Sequence, residues 1–250
     1  MRKPIMAGNW KMNKTISESL SFIESLKSSA AGISDIEILI CPPFTSLFAL
    51  REQMQGTQIA LGAQNLFWEA KGAFTGEISP IMLKDSGCKY VLIGHSERRQ
   101  YFGETDECVN KKTKAAFEAG LIPIVCVGET LKEREDNLTF KIIERQIRGG
   151  LSQLQPQYAK EIVIAYEPVW AIGTGKTASP KQAQEVHQFI RKTYESLYAG
   201  CAEGIRLLYG GSVKPDNISE LMRQQDIDGG LVGGASLEPD SFLKLINYQK

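Results

Sequence analysis

The feature of this sequence that most restricts its fold is a series of short, continuously apolar segments. None alternates between apolar and polar residues, as a strand with one solvent-exposed face would. Continuous apolarity over a few residues suits strands that are covered on both faces, so the segments predict a parallel sheet covered by helices. There are eight: Ile5 to Ala7, Ile36 to Ile40, Ile59 to Leu61, Tyr90 to Ile93, Ile122 to Val127, Ile162 to Ala165, Ile205 to Leu208 and Leu231 to Val232.

Helical patterns with recognisable ends lie between these segments. Thr15 to Glu18 and Thr130 to Glu133 have the spacing of capping boxes, and Ser179 places a capping hydroxyl before Pro180. Apolar residues recur at near-helical spacing from Pro180 to Leu197, which predicts an amphipathic helix there. Glycines that are expected to end helices are Gly32, Gly56, Gly87, Gly120 and Gly200.

Strands spaced by roughly 20 to 45 residues, each followed by a helix, indicate repeated βαβ units. Eight such units in 250 residues predict an α/β protein with a closed (β/α)8 barrel of eight parallel strands. An open doubly wound sheet is the alternative, but it would normally divide a chain of this length or use fewer strands. Because no linker or shift in composition interrupts the sequence, residues 1–250 are predicted to form a single domain.

The composition argues against several partners and locations. Lys plus Arg equals Asp plus Glu at 29 each, so no net field attracts nucleic acid or an anionic membrane. No segment approaches the roughly 18 apolar residues of a membrane span, and residues 1–10 hold too short an apolar core for a signal peptide. Five cysteines without a CxxC pair argue against a disulfide framework or a zinc site. The expected location is the reducing cytoplasm.

Candidate catalytic residues follow the first, fourth and sixth strands, at the ends where β/α barrels carry their chemistry: Asn9, Lys11, His95, Glu97 and Glu167. Glu167 ends an apolar strand and precedes a proline, so its carboxylate is expected to point into the barrel mouth as a general base. A structural ion pair is the alternative. His95, taken alone, is more typical of a hydrogen-bonded core histidine. His187 lies on a helix and is predicted to be solvated.

Glycine clusters follow the last three strands. They comprise Gly173 and Gly175, Gly210-Gly211-Ser212, and Gly233-Gly234. Backbone without a Cβ can turn its N–H groups toward an oxyanion, and barrels commonly hold phosphate after the last two strands. The clusters therefore predict a phosphate site, with ordinary tight turns as the alternative.

The sequence near Gly173 partly resembles two nucleotide-binding motifs, the P-loop and the dinucleotide fingerprint, but matches neither of them. The leading glycine of a P-loop would fall at Trp170, and a dinucleotide fingerprint would end at Ala178, before the helix that starts at Pro180. No His, Cys or Asp cluster has metal-ligand spacing either. We therefore expect neither a cofactor nor a metal ion.

The segment from Gln64 to Gly76 has no helical or strand period and is long for a connector. It carries Phe67, Trp68 and Phe74, three aromatic side chains that are expected to be buried away from solvent. Docking against a second subunit is favoured over a lid, because exposed apolar patches usually mark interfaces.

Four segments together resemble the triosephosphate isomerase family from one end of the chain to the other. They are Ala7 to Asn13, Ile93 to Arg99, Ala165 to Gly175 and Tyr209 to Val213, in the expected order and spacing. The resemblance implies a cytoplasmic, cofactor-independent homodimer. It would interconvert dihydroxyacetone phosphate and glyceraldehyde 3-phosphate in glycolysis and gluconeogenesis.

The resemblance also assigns roles, and this family is itself the type case for the Glu/His pair and for lid closure. It implies that Glu167 is the base, that His95 is a neutral electrophile, and that Lys11 and Asn9 assist at the same substrate oxygens. Glu97 would support the site. The substrate would be bound by Asn9, Lys11, Gly173, Ser212, Gly233 and Gly234, and the last four of these would hold its phosphate.

The segment after Glu167 is predicted to be a lid with stiff ends and a glycine-containing tip. Its residues are Pro168, Val169, Trp170, Ala171, Ile172, Gly173, Thr174, Gly175, Lys176, Thr177 and Ala178. At the dimer interface the resemblance places Phe74 and Thr75, with Thr75 near the partner subunit's Lys11 and the partner subunit's Glu97.

Other function classes remain as alternatives. A non-catalytic or moonlighting phosphate-binding barrel is one, although intact Lys11, His95 and Glu167 favour catalysis. A barrel enzyme of another chemistry, such as aldol cleavage or indole synthesis, lacks support because no strand-end lysine has a Schiff-base context.

Overall fold

Strands and helices alternate along the computed structural model, which describes residues 2–173 and 176–248. Within that part of the chain the strands are β1 (Ile5–Asn9), β2 (Glu37–Cys41), β3 (Ile59–Ala63), β4 (Tyr90–Ile93), β5 (Ile122–Val127), β6 (Val163–Tyr166), β7 (Arg206–Tyr209) and β8 (Gly229–Val232). The α-helices are α1 (Ile16–Ala30), α2 (Leu47–Gln53), α3 (Pro80–Asp85), α4 (Ser96–Phe102), α5 (Asp106–Glu118), α6 (Leu131–Glu135), α7 (Thr139–Leu151), α8 (Pro180–Leu197), α9 (Ile218–Met222) and α10 (Pro239–Ile246). Short 3-10 helices are formed by Phe44–Ser46, Tyr158–Lys160, Val169–Ala171 and Gly234–Ser236.

The strands form one closed, parallel barrel in the order of the sequence. Each strand pairs with the next, and β8 returns to β1, where Gly230 lies opposite Met6. The predicted (β/α)8 barrel is therefore confirmed. Because all strands run the same way, their C-terminal ends meet at a single rim.

Strand residues are buried on both faces of the barrel wall. In β1, Ile5 and Ala7 belong to an apolar cluster made of strand residues, whereas Met6 packs into a second cluster with helical residues such as Phe22. Neighbouring residues of a strand face opposite sides, so the first cluster fills the barrel and the second lies beneath the helices. This double burial explains why no strand shows polar alternation.

The predicted helix ends agree with the structure more closely than the strand ends do. Thr15 and Thr130 form the two predicted capping boxes, and the helix from Pro180 to Leu197 is α8. Three strands are longer than their apolar segments, since β1 extends through Gly8, β3 extends through Gly62 and β8 begins at Gly229. Glycine contributes no apolar side chain, so these residues gave no strand signal.

The prediction that His187 is solvated is wrong. The side chain is fully buried, on the face of α8 that also carries Ala183, Ile190 and Tyr194. These positions lie three or four residues from one another or from His187 and so share one side of the helix. The ring nitrogen Nδ1 lies 3.0 Å from the carbonyl oxygen of Asp226.

The segment from Gln64 to Gly76 contains neither helix nor strand, as predicted. Its aromatic residues pack on one another, with the Phe67 ring centroid 4.2 Å from that of Trp68 and 4.7 Å from that of Phe74. Phe74 remains 42% exposed. Among the described helices, none is long and apolar enough to cross a membrane.

Candidate active site

The barrel brings the predicted strand-end residues together around one cavity of about 320 Å³ at the C-terminal rim. Asn9 ends β1, and Lys11 follows two residues later. His95 is the N-cap residue of α4 and the second residue after β4, and Glu167 is the first residue after β6. The lining also includes Gly173, Gly210, Gly211, Ser212, Gly233 and Gly234.

A buried pair of side chains, Glu167 and His95, lies at the centre of the site. His95 Nε2 is 2.9 Å from Glu167 Oε1, and the backbone N–H of Ser96 donates to Glu167 Oε2 at 2.8 Å. Only 2% of Glu167 and 6% of His95 are exposed. Water therefore has little access to either group, and their mutual contact determines their charge.

The protonation of His95 follows from its place at the start of α4. The backbone N–H of Glu97 donates to His95 Nδ1 at 3.2 Å, so Nδ1 is an acceptor and carries no proton. The ring proton is consequently on Nε2, which donates toward Glu167. This is the neutral tautomer, and the positive end of the α4 helix dipole favours it.

Burial and charge act in opposite directions on this pair. Burial raises the pKa of Glu167, but the facing His95 ring, the Ser96 N–H and Lys11 outweigh burial and hold that pKa below its usual range. Burial lowers the pKa of His95, and the Glu167 carboxylate outweighs it and raises that pKa. Nδ1 of His95 already accepts a hydrogen bond from the Glu97 N–H. The pKa of His95 is therefore raised only while the ionised carboxylate of Glu167 faces the ring.

Lys11 is held in a left-handed backbone conformation with φ 53°, which costs a non-glycine residue about 1–3 kcal/mol. Its backbone N–H donates to Asn9 Oδ1 at 3.0 Å, and its carbonyl accepts from Gln64 Nε2 at 2.8 Å. Its Nζ lies 2.6 Å from Glu97 Oε1. A Cβ on Gly233 would lie 3.4 Å from Lys11 Cε, so this glycine leaves the lysine stem its space. The ammonium group is thereby fixed at the edge of the cavity.

Comparison with known proteins identifies the family of this barrel. The family model described as Triosephosphate isomerase matches residues 4–249. The triosephosphate isomerase of Endomicrobium trichonymphae is 66% identical over 250 residues, covering 100% of both chains. The chain belongs to the triosephosphate isomerase family. The enzyme of Moorella thermoacetica is 56% identical over 100% of both chains. A crystal structure of triosephosphate isomerase from Bartonella henselae matches with a TM-score of 0.91 and 41% identity, covering 99% of each chain.

Most of the residues that resemblance assigned to the triosephosphate isomerase site line the cavity. Glu97 is the exception, since it contacts Lys11 through its carboxylate and His95 through its backbone N–H without lining the cavity. Two residues of the predicted lid, Thr174 and Gly175, lie outside the described residues. Within residues 2–173 and 176–248, no group of three or more His, Cys, Asp or Glu side chains is placed to hold a metal ion.

The structure also adds residues around the triosephosphate isomerase site that the sequence did not single out. Ser96 holds the carboxylate of Glu167, and Gly128 lies directly against its backbone, where a Cβ would come within 1.7 Å of the Glu167 carbonyl oxygen. Of these two residues, Ser96 lies within Ile93 to Arg99, one of the segments that resemble the family, but it was given no role there. Gly128 follows β5 and gave no signal, because its importance depends on the neighbouring strand.

A buried carboxylate, Glu129, connects the start of the predicted lid to the barrel. Its Oε1 accepts from Trp170 Nε1 at 3.0 Å and from the Tyr166 hydroxyl at 3.1 Å, and its carbonyl accepts from the N–H of Val169 at 3.1 Å. Arg134 Nη1 lies 3.0 Å from the same Oε1 and balances its charge. The N-terminal end of the lid segment is therefore fixed by several hydrogen bonds.

Proposed function

We propose that this isomerase interconverts dihydroxyacetone phosphate and glyceraldehyde 3-phosphate through an enediolate, with Glu167 as the base. The observation that carries the proposal is the buried carboxylate of Glu167 in contact with His95 Nε2 at the cavity. A lowered pKa keeps this carboxylate ionised at neutral pH, ready to accept a proton. Glu167 takes a proton from C1 of dihydroxyacetone phosphate and returns it to C2.

The oxygens of the enediolate need fixed donors, because a proton next to a carbonyl is too weakly acidic for a carboxylate alone. His95 Nε2–H, Lys11 Nζ and the Asn9 side-chain amide supply them from three strand ends. The hydroxyl proton on the C1 oxygen is transferred to the C2 oxygen to complete the product. A neutral imidazole suits this position, because its pKa as a donor is closer to that of an enediol than the pKa of an imidazolium is.

The phosphate is proposed to lie against the backbone of Gly173, Ser212, Gly233 and Gly234. Their position supports this assignment, because all four line the cavity that holds Glu167. A Cβ on Gly211 would lie 2.3 Å from the Tyr209 hydroxyl oxygen, so there is no room for a side chain at this position of the loop. The backbone can therefore approach an anion closely.

A coupled assay of glyceraldehyde 3-phosphate isomerisation on EDTA-treated protein tests the proposed function. We expect turnover without added metal or cofactor. A non-catalytic phosphate-binding barrel would bind the substrate without turning it over, and that outcome would refute the proposal.

The lid is proposed to protect the enediolate, which carries a phosphate on the adjacent carbon and can expel it. Deleting Ile172 to Gly175 and joining the ends is expected to lower kcat about a hundredfold, the size typical of losing a preorganised donor. Part of the flux should then form methylglyoxal and inorganic phosphate, which a phosphate assay measures. Unchanged kcat with no added phosphate release would show that the segment is not a lid.

We also propose a homodimer in which the loop from Gln64 to Gly76 docks against a partner subunit. Of the eleven large apolar residues that are notably exposed in the described part of the chain, nine lie between Met12 and Phe102, on the half of the barrel that carries this loop. A concentration of exposed apolar side chains on one side supports an interface there.

Replacing residues 69–76 with two glycines is expected to give a monomer with poor activity. The replaced residues do not include Phe67 or Ile78. The 2.9 Å hydrogen bond from the Phe67 N–H to the Ile78 carbonyl, which closes the base of the loop, is therefore retained. Phe74→Ser should weaken the dimer in sedimentation, whereas Phe140→Ser, at a residue of similar exposure on α7, should not. A parent protein that sediments as a monomer at micromolar concentration would contradict the proposal.

Five cysteines in the described chain are free, and four of them are buried. Free thiols support the cytoplasm as the location, where the reaction would serve glycolysis and gluconeogenesis.

A further inference from the structure

Two polar atoms without a hydrogen-bond partner lie on neighbouring buried rings. Within the described residues three buried side-chain polar atoms lack a partner, and two of them are His187 Nε2 and the Tyr209 hydroxyl oxygen. The two ring centroids are 6.4 Å apart. An unpaired buried polar group is costly, so such groups usually pair or act in a function.

The chemistry of His187 makes its Nε2 an acceptor. Nδ1 lies 3.0 Å from the carbonyl oxygen of Asp226, which can only accept, so Nδ1 carries the ring proton. Burial lowers the pKa of His187 to about 4, so the ring is neutral at neutral pH. The remaining nitrogen, Nε2, therefore presents a lone pair toward the interior.

Tyr209 is the complementary group, because its hydroxyl carries a proton that has no acceptor. Burial raises the pKa of Tyr209 to about 12, against the opposing effect of the Ala178 backbone N–H, which faces the hydroxyl. The contact falls short of hydrogen-bond geometry. Ala178 is the last residue of the proposed lid and directly precedes the N-cap of α8. Tyr209 is thus next to His187, whose ring centroid is 6.4 Å away, and its hydroxyl faces the C-terminal end of the lid.

His187 also contacts the residues that support the other end of the lid. Its ring is edge-on to that of Tyr166, with centroids 5.9 Å apart. Tyr166 donates to Glu129, the carboxylate that accepts from Trp170. One buried side chain therefore adjoins the supports of both lid ends.

We propose that His187 is a positioning residue for the lid, accepting the Tyr209 O–H at Nε2 so that the hydroxyl oxygen points a lone pair at the Ala178 N–H. The inference rests on the lid function proposed above. The proposed hydrogen bond gives both unpaired atoms, His187 Nε2 and the Tyr209 hydroxyl, a partner. The oriented oxygen then holds the C-terminal end of the lid over the cavity.

Two matched substitutions separate this role from a structural one. His187→Asn keeps a donor for the Asp226 carbonyl but removes the acceptor at the Nε2 position, whereas His187→Gln keeps an acceptor there. We expect His187→Asn to lower kcat about fivefold, the effect of one hydrogen bond, and to increase phosphate release. His187→Gln should stay within about twofold of the parent in kcat. In a Tyr209→Phe background, His187→Asn should have no further effect on kcat, because the two groups act as a unit.

The imidazole nitrogen resonances test the hydrogen bond in the native protein. The chain has only two histidines, so a 15N-labelled sample gives few signals to assign. The Nε2 resonance of His187 is expected to shift toward the position of a nitrogen without a hydrogen bond when Tyr209 is changed to phenylalanine. This measurement remains informative if His187→Asn does not fold.

Specific outcomes would overturn the inference. Equal loss of kcat in His187→Asn and His187→Gln would indicate a structural role, and an Nε2 resonance unchanged by Tyr209→Phe would exclude the hydrogen bond. If Tyr209→Phe lowers kcat but His187→Asn does not, the lid is real and His187 does not position it. If neither Tyr209→Phe nor the lid deletion changes kcat or phosphate release, the lid proposal itself fails.

Discussion

Replacing Glu167 with glutamine is expected to lower kcat by at least about a hundredfold, the minimum typical of a general base. The amide has the volume of the carboxylate but cannot accept a proton at neutral pH. It also offers one oxygen to two donors, Ser96 N–H and His95 Nε2–H, so one of them loses its partner. Steady-state kinetics measures the loss, and circular dichroism checks that the barrel remains folded.

Glu118→Gln is a matched control for this substitution. Glu118 is exposed and ends α5, just before β5 begins, so it lies at the end of the barrel opposite the cavity. The kcat of the Glu118→Gln variant should equal that of the parent enzyme. A Glu167→Gln enzyme within about tenfold of the parent in kcat would exclude Glu167 as the base.

Gly128→Ala is expected to impair both folding and catalysis, although Gly128 does not line the cavity. An added Cβ would lie 1.7 Å from the carbonyl oxygen and 2.6 Å from the carbonyl carbon of Glu167, so the backbone that carries the base must move. Gly128 cannot retreat easily, because Gln146 holds both its N–H and its carbonyl, at 2.7 and 3.0 Å. Overpacking of this kind costs about 1–3 kcal/mol, and a displacement of about 1 Å in an active site can cost about a hundredfold in rate.

Gly204→Ala serves as the control for that prediction. The nearest atom to a Cβ at Gly204 is the Cys201 carbonyl oxygen at 3.6 Å, an ordinary van der Waals contact. Thermal unfolding and kcat of this variant should match the parent. If Gly128→Ala also retained the parent kcat and unfolding midpoint, the close approach of the two backbones would not position Glu167.

Much of the fold could be predicted because the signals are local. Continuous apolar runs follow from strands buried on both faces, and capping residues such as Thr15 mark helix starts within a few positions. Glycines within strands, such as Gly62 and Gly229, gave no signal, so those strand ends were missed. The interpretation of residues 1–250 as a single domain stays a prediction.

The candidate site was predictable where its residues directly follow strands. The sequence located each strand to within a few residues, and closing the barrel brings Lys11, His95 and Glu167 together. Residues whose importance depends on another strand were not predictable, as with Gly128 beneath Glu167. His187 was assigned to solvent because its side chain is polar, although its spacing from Ala183 and Ile190 places it on the buried face of α8.

Turnover of glyceraldehyde 3-phosphate in D2O, followed by proton NMR, tests the central claim most directly. If Glu167 carries the proton between the two carbons, its carboxyl group exchanges with solvent while the enediolate is bound. Part of the dihydroxyacetone phosphate should then contain one deuterium at C1, and Glu167→Gln should abolish its formation. Product that always retains the original hydrogen would indicate transfer without an exchangeable base and would contradict the account.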